Sequence, residues 1–235
     1  MTDFENREIN LQKLYEAYSK FDDDVKFDVK YLKDKSDVKH KAVYVKDDKV
    51  SSEQELREIE SVIKCPIPPS LRETFSHFSK SIRFFATLPW DMARPGPLRS
   101  IDSAMFLIST DELLTAEKAR LGWVENCFSD PADVYDKVWH NKLGFMTVIT
   151  GDIIAFDLSD PKDDKRVVYL SHDDGEGHGY ILGDSFGDYF SKLLLIGGCG
   201  SEDWQMLPFM ADSVSGIDPN CDNAGLYREI IGLSW

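Results

Sequence analysis

The densest group of residues able to do chemistry is the run HDDGEGHGY at 172–180, which sets His172, Asp173, Asp174, Glu176 and His178 within seven positions. Two imidazoles and a carboxylate are the donor set of a hydrolytic metal centre, in which the ion activates a bound water. Such centres fix their ligands at helical or strand periods, whereas Gly175 and Gly177 break any period here. Asp and Gly are equally the residues of a tight connection between strands. The run therefore reads first as a solvated hairpin loop, and second as the centre of a metal-dependent hydrolase built on His172 and His178. A calcium loop needs more oxygen ligands than Asp173, Asp174 and Glu176 supply, at a different spacing. On these residues no metal and no cofactor is expected.

Nucleophilic and acid–base chemistry find no better support. No GxSxG elbow occurs, and Ser185 stands where a helix N-cap is expected, so its hydroxyl is committed to a backbone N–H. GGCG at 197–200 follows a helix, the wrong context for a phosphate-cradling loop. Asp152 and Asp157 are five apart on a strand, so they face opposite sides of a sheet and cannot share acid and base roles. Cys65, Cys127, Cys199 and Cys221 form no CxxC pair and have no His at zinc-finger spacing, which suits reduced, packed thiols in a cytoplasmic protein. The expectation is a protein that is not an enzyme.

The elements that must position these residues can be read from periodicity. Leu11, Leu14, Tyr15 and Tyr18 mark a first helix over 5–20. Residues 21–50 hold eight Asp and eight Lys, with Val25, Phe27, Val29 and Tyr31 alternating and AVYV at 42–45, and read as a charged, two-stranded extension or a loosely held linker. Ser52 with Glu55, and Ser70 with Glu73, have capping-box spacing and predict two helices joined by a proline turn. Leu56, Ile59, Val62 and Ile63 form the stripe of the first; Leu71, Phe75 and Phe78 form that of the second. A strand at AMFLIS (104–109) leads to a helix opening near Thr110. Strands at 143–150, 152–158 and 166–172, with short connections, predict an antiparallel meander. A helix opens near Ser185 and ends at Gly197 and Gly198, and another covers 224–231. The fold class is α+β, a mostly antiparallel sheet flanked by helices.

Charge narrows the function classes. The 235 residues carry 27 Lys and Arg against 42 Asp and Glu, a formal charge of −15. Nucleic-acid binders gain affinity by setting Lys and Arg against phosphates, so a nucleic-acid partner is not expected. From Leu121 to Trp235 there are 20 acidic and 7 basic residues, so the excess lies in the strand-rich half. The N-terminus MTDFENREIN has no basic or apolar signal region, and the longest purely apolar run is Ala104–Ile108, five residues, so neither export nor a membrane span is expected. Five tryptophans, Trp90, Trp123, Trp139, Trp204 and Trp235, are divided by this reading between the core and an interface, with most in the core.

Several motifs occur in a fixed order: a capped helix, PxxL and a second helix, the strand GDIIAFDL (151–158), then VVYLSH (167–172) leading to DSFGDYFSKLL (184–194). This order resembles the SUKH superfamily, which contains bacterial toxin-immunity proteins and the fungal regulators of cell-wall glucan synthesis. The fold-signature positions are matched by Trp139, Gly151, Asp152, Asp157, Val168, Tyr169, His172, Ser185 and Phe186. The likeness covers about residues 50–200; where many members carry Asn-Gly-Gly after the second helix, this chain has SKSIRFFAT (79–87), a differently built loop.

The resemblance implies a SUKH-like domain at 51–235 with a C-terminal helical tail, preceded by a helix and charged extension at 1–50. It also implies a non-enzymatic binding module in the cytoplasm. The expected partner is a basic protein, such as a nuclease-type toxin that the chain neutralises, with a regulatory scaffold of the fungal type as the alternative. Charge places the contact on His172, Asp173, Asp174 and Glu176.

Overall fold

The structure is a computed structural model that describes residues 3–21, 42–89 and 91–235. The alternation read at Val25, Phe27, Val29 and Tyr31, and Trp90, lie outside the described residues.

Helix α1 (Asp3–Ser19) buries Leu11, Leu14, Ala17 and Tyr18, the stripe that its spacing requires. Then come β1 (Val43–Lys46), α2 (Glu53–Ile63) and α3 (Pro69–Glu73), which runs into a π-helical turn at Thr74–Phe78. The capping box of α2 forms as expected: the Ser52 hydroxyl accepts from the Glu55 N–H at 3.3 Å, and the Glu55 carboxylate accepts from the Ser52 N–H at 2.7 Å. Strands β2 (Ser81–Thr87) and β3 (Ser103–Ser109) complete a first sheet, antiparallel in the order β1-β2-β3. Helix α4 (Thr110–Asn126) is capped by Ser109, whose hydroxyl accepts from the Glu112 N–H at 3.0 Å.

After α5 (Asp136–Trp139), strands β4 (Lys142–Thr147), β5 (Ile153–Asp157), β6 (Val167–Leu170) and β7 (Ile181–Gly183) form a second antiparallel sheet in sequence order. The chain closes with α6 (Phe186–Leu195), α7 (Asp203–Met206) and α8 (Asp222–Ile231). The α+β class holds, with its strands divided between two sheets. Helix α4 accounts for the division at the β4 edge. The Gly144 and Thr147 N–H groups donate to the carboxylates of Glu117 (2.8 Å) and Glu112 (2.7 Å) on α4, where a further strand would otherwise bond.

The two sheets share one apolar core. Phe84 and Phe106 of the first sheet stack at 5.3 Å, Phe106 meets Phe190 of α6 edge-on, and Phe186 of α6 meets Phe145 of β4 edge-on. Helix α1 belongs to this core: Tyr18 packs on Phe84, and its hydroxyl lies 2.7 Å from that of Tyr227 in α8. The other face of the second sheet is covered by a smaller cluster of Trp139, Ile153, Ala155, Val168 and Leu170, with Trp123, Phe128 and Tyr135 against it. Covering on both faces explains why Ile153 to Phe156 are all buried.

Two local expectations are corrected. Ser70 does not cap α3: that helix begins at Pro69 after Pro68, the Ser70 N–H and hydroxyl both donate to Asp164 Oδ1 (3.1 and 2.9 Å), and the hydroxyl accepts instead from the Gly187 N–H in the first turn of α6. Val62 is 66% exposed, because the buried stripe of α2 runs through Leu56 and Ile59.

Candidate functional site

The resemblance motifs converge at the end of the second sheet. Between β4 and β5 the chain turns at 148–151, with the Val148 N–H donating to the Asp152 carbonyl and the Gly151 N–H to that of Val148. Gly151 has φ +111°, a conformation that a side chain would strain. The turn delivers Asp152 into the interior, 3% exposed. Its Oδ2 accepts from the Tyr169 hydroxyl at 2.7 Å, and its Oδ1 accepts from His172 twice, from the backbone N–H at 2.8 Å and from Nδ1 at 2.5 Å. Burial, with Asp152 beside it, raises the Tyr169 hydroxyl's pKa far above the ordinary tyrosine range. A carboxylate only accepts, so the His172 proton sits on Nδ1 and Nε2 is left facing away from Asp152. Trp123 of α4 holds the other face: its ring centroid is 4.8 Å from that of His172, and its Nε1 donates to the Gly151 carbonyl.

His178 lies in a separate socket. Its Nδ1 accepts from the Ser171 N–H at 3.0 Å, its Nε2 donates to the Tyr135 carbonyl at 3.1 Å, and the ring stacks on that of Tyr135 at 3.8 Å. Burial lowers its pKa, which agrees with a neutral ring holding one proton between two backbone partners. Both nitrogens are therefore used, and the metal-hydrolase reading loses its second imidazole. Asp152, His172 and Asp173 each bring one ligand atom within 4.8 Å of the others. However, the Asp152 oxygens already accept three hydrogen bonds, and a cation would have to break the network that holds the loop.

The loop itself is an ordered turn with an acidic rim. The Ser171 hydroxyl donates to Asp173 and accepts from the Gly175 N–H. Asp174 has φ +63°, and its N–H donates to the Tyr135 hydroxyl, which in turn donates to the Ser171 carbonyl. Asp173, Asp174 and Glu176 are exposed. A residue that the sequence reading missed closes the loop from the tail: Asp203 Oδ2 accepts from the Gly177 N–H at 2.9 Å. A side chain at Gly175 or Gly177 would run into Asp203, so these glycines mark a close approach. Nothing in the sequence except that paired glycine signal pointed to a contact 26 residues away.

The remaining signature residues serve packing and caps. Trp139 and Phe186 are fully buried, and Trp139 stacks on Phe128 at 4.8 Å. The Ser185 hydroxyl accepts from the Asp188 N–H at 3.1 Å. Asp157 accepts from the Lys142 ammonium at 3.0 Å and from the Ser159 hydroxyl at 2.6 Å; burial raises its pKa, but these two partners outweigh that and hold it low. Asp152 and Asp157 thus act at opposite ends of β5 with separate partners. Among the described residues, no helix is long and apolar enough to cross a membrane.

Comparison with known families finds a match to the SMI1 / KNR4 family (SUKH-1) over residues 51–192, well over half of the chain. No curated protein and no solved structure matches the chain.

Proposed function

Because the chain belongs to the SMI1 / KNR4 family (SUKH-1), whose members are in general non-enzymatic immunity or regulatory proteins, we propose that it is an immunity protein that captures a basic toxin by direct binding in the cytoplasm. The observation that carries this reading is the acidic excess of the part that holds the second sheet, with 20 carboxylates against 7 bases from Leu121 to Trp235. Its exposed members include Asp173, Asp174 and Glu176 on one ordered loop. A nuclease-type toxin holds its substrate with Lys and Arg. An acidic protein competes for that face and accelerates its own encounter through long-range attraction.

The chemistry of the site agrees with binding rather than turnover. Its imidazoles are fixed by Asp152 and by backbone groups, and the exposed carboxylates are spread along a rim. The test is to isolate the cationic partner from the source cell, then assay that partner's own activity with and without a stoichiometric amount of this protein. Loss of activity on binding supports immunity. A partner that stays fully active in the complex overturns it in favour of a regulatory scaffold.

A further inference from the structure

We infer that the docking point for an arginine-bearing segment of a protein partner is the surface where the β4–β5 turn, the β6–β7 loop and the start of α7 meet, with Trp204 and Ile149 as its apolar anchors. This inference rests on the function proposed above and adds the place and the side-chain chemistry.

The three segments are joined by side-chain bonds. The Thr150 hydroxyl donates to Glu202 Oε2 at 2.9 Å, and the Gly177 N–H donates to Asp203 Oδ2 at 2.9 Å. Ile149, one residue before Thr150, is 76% exposed, and Trp204, two residues after Glu202, is 44% exposed. Single exposed apolar residues are ordinary, but here two large ones flank one hydrogen bond, on segments ordered by further bonds. Ordered anchors lose little freedom when a partner covers them, and a tryptophan is the strongest such anchor.

The charge carried by these three segments has one sign. Residues 148–152, 171–180 and 201–205 hold six carboxylates and no Lys or Arg. Asp152 and Asp203 are buried within the structure, while Asp173, Asp174 and Glu176 are exposed and Glu202, two residues before Trp204 in the chain, is half-buried. Elsewhere on the second sheet and α6 several carboxylates have cationic neighbours, as in Lys142–Asp157, Arg166–Asp160 and Lys192–Asp188. An exposed indole on a segment whose carboxylates have no Lys or Arg partner suits a guanidinium, which can stack on a ring while its planar fork bonds a carboxylate. His172 adds an imidazole whose Nε2 no described residue bonds. Glu202 and Trp204 follow residue 192, so two of the proposed contacts lie outside the family-matched segment.

The experiment titrates the full-length, ¹⁵N-labelled chain with an oligoarginine peptide, and with an oligolysine of equal length, while following backbone amides and indole signals. The largest shifts are expected at the Trp204 indole and the amides of Thr150, Asp173–Gly177 and Glu202–Trp204. Trp204→Ala should weaken oligoarginine binding about fivefold, as the loss of one exposed cation–π contact does. Trp204→Phe should restore part of it, and oligolysine should lose less than oligoarginine. Shifts spread evenly over the acidic surface, or a Trp204→Ala variant that binds unchanged, would overturn the assignment. If the peptide maps here while the isolated partner stays active when bound, the immunity reading fails and the surface stands. If the partner is neutralised equally well by Trp204→Ala, the surface is wrong and the immunity reading stands.

Discussion

Asp152 and His172 are joined twice through one carboxylate oxygen, once to the backbone N–H at 2.8 Å and once to Nδ1 at 2.5 Å. One buried side chain thereby fixes both the path of the loop and the orientation of its imidazole. Asp152→Ala leaves the Tyr169 hydroxyl and the His172 N–H without their acceptor, and should cost about 3 kcal/mol, the penalty for orphaning buried partners of a charged group. Chemical denaturation would measure the loss. Amide exchange at His172 should accelerate beyond what the global loss explains, and unchanged exchange there would refute the positioning role.

Tyr18 and Tyr227, separated by 209 residues, share a hydrogen bond of 2.7 Å that ties α1 to α8. The Tyr18 hydroxyl also donates to the Gly197 carbonyl at 3.1 Å, so Tyr18→Phe strands the Tyr227 hydroxyl in the core and should cost about 1 to 2 kcal/mol, whereas Tyr227→Phe leaves Tyr18 its carbonyl acceptor and should cost less. The double variant should cost clearly less than the sum of the two. A strictly additive double-mutant cycle would show that the two hydroxyls do not depend on one another.

Trp139 and Phe186 are both fully enclosed, on opposite faces of the second sheet. Truncation of either to Ala should cost about 3 to 5 kcal/mol, the usual result for a buried aromatic. Equilibrium unfolding decides, and a loss below about 1 kcal/mol, the range of ordinary surface changes, would contradict the burial.

His178 supplies a pH dependence of known sign. Its folded-state pKa is lowered from the ordinary 6.5, chiefly by burial, so the unfolded chain takes up a proton that the folded chain resists. Its contribution is therefore complete above about pH 6.5 and is lost as pH falls below that value. Stability measured at pH 7.5 and at pH 5.5 should differ less in His178→Gln than in the parent. An equal difference in both proteins would show that His178 is not buried neutral.

The proposed capture of a cationic partner through the acidic loop would have a kinetic signature. Salt screens such attraction over about 8 Å at physiological strength, so association should slow with salt far more than dissociation quickens. Changing Asp173 and Asp174 to Asn and Glu176 to Gln should lower the association rate and flatten its salt slope while leaving unfolding unchanged. Identical slopes in variant and parent would remove the loop from the electrostatic footprint.

What could be read from the sequence was the part whose chemistry is local. The Ser52–Glu55 box and the Ser185 cap need only three residues each, and the strands of the second sheet announce themselves by β-branched and aromatic content. Ser70 has the same local pattern as Ser52, yet Asp164, 94 residues away, takes both of its donors. Similarly, α4 divides the strands into two sheets through Glu112 and Glu117, which first-turn and mid-helix positions alone do not reveal. In the candidate site, Asp152, Tyr169 and His172 were named by their motifs, whereas Trp123, Tyr135, Glu202 and Asp203 join it only through the folded topology.

The bond from Gly177 to Asp203 also has a meaning in time. A chain leaves the ribosome from its N-terminus at about 5 to 20 residues per second, so Asp203 emerges roughly one to five seconds after Gly177. During that interval β4, β5 and β6 are already available to pair, but the loop lacks the acceptor that closes it and the tryptophan beside it. The nascent chain thus has the strands of its second sheet before the loop between β6 and β7 is closed, and that closure waits for a residue made after α6.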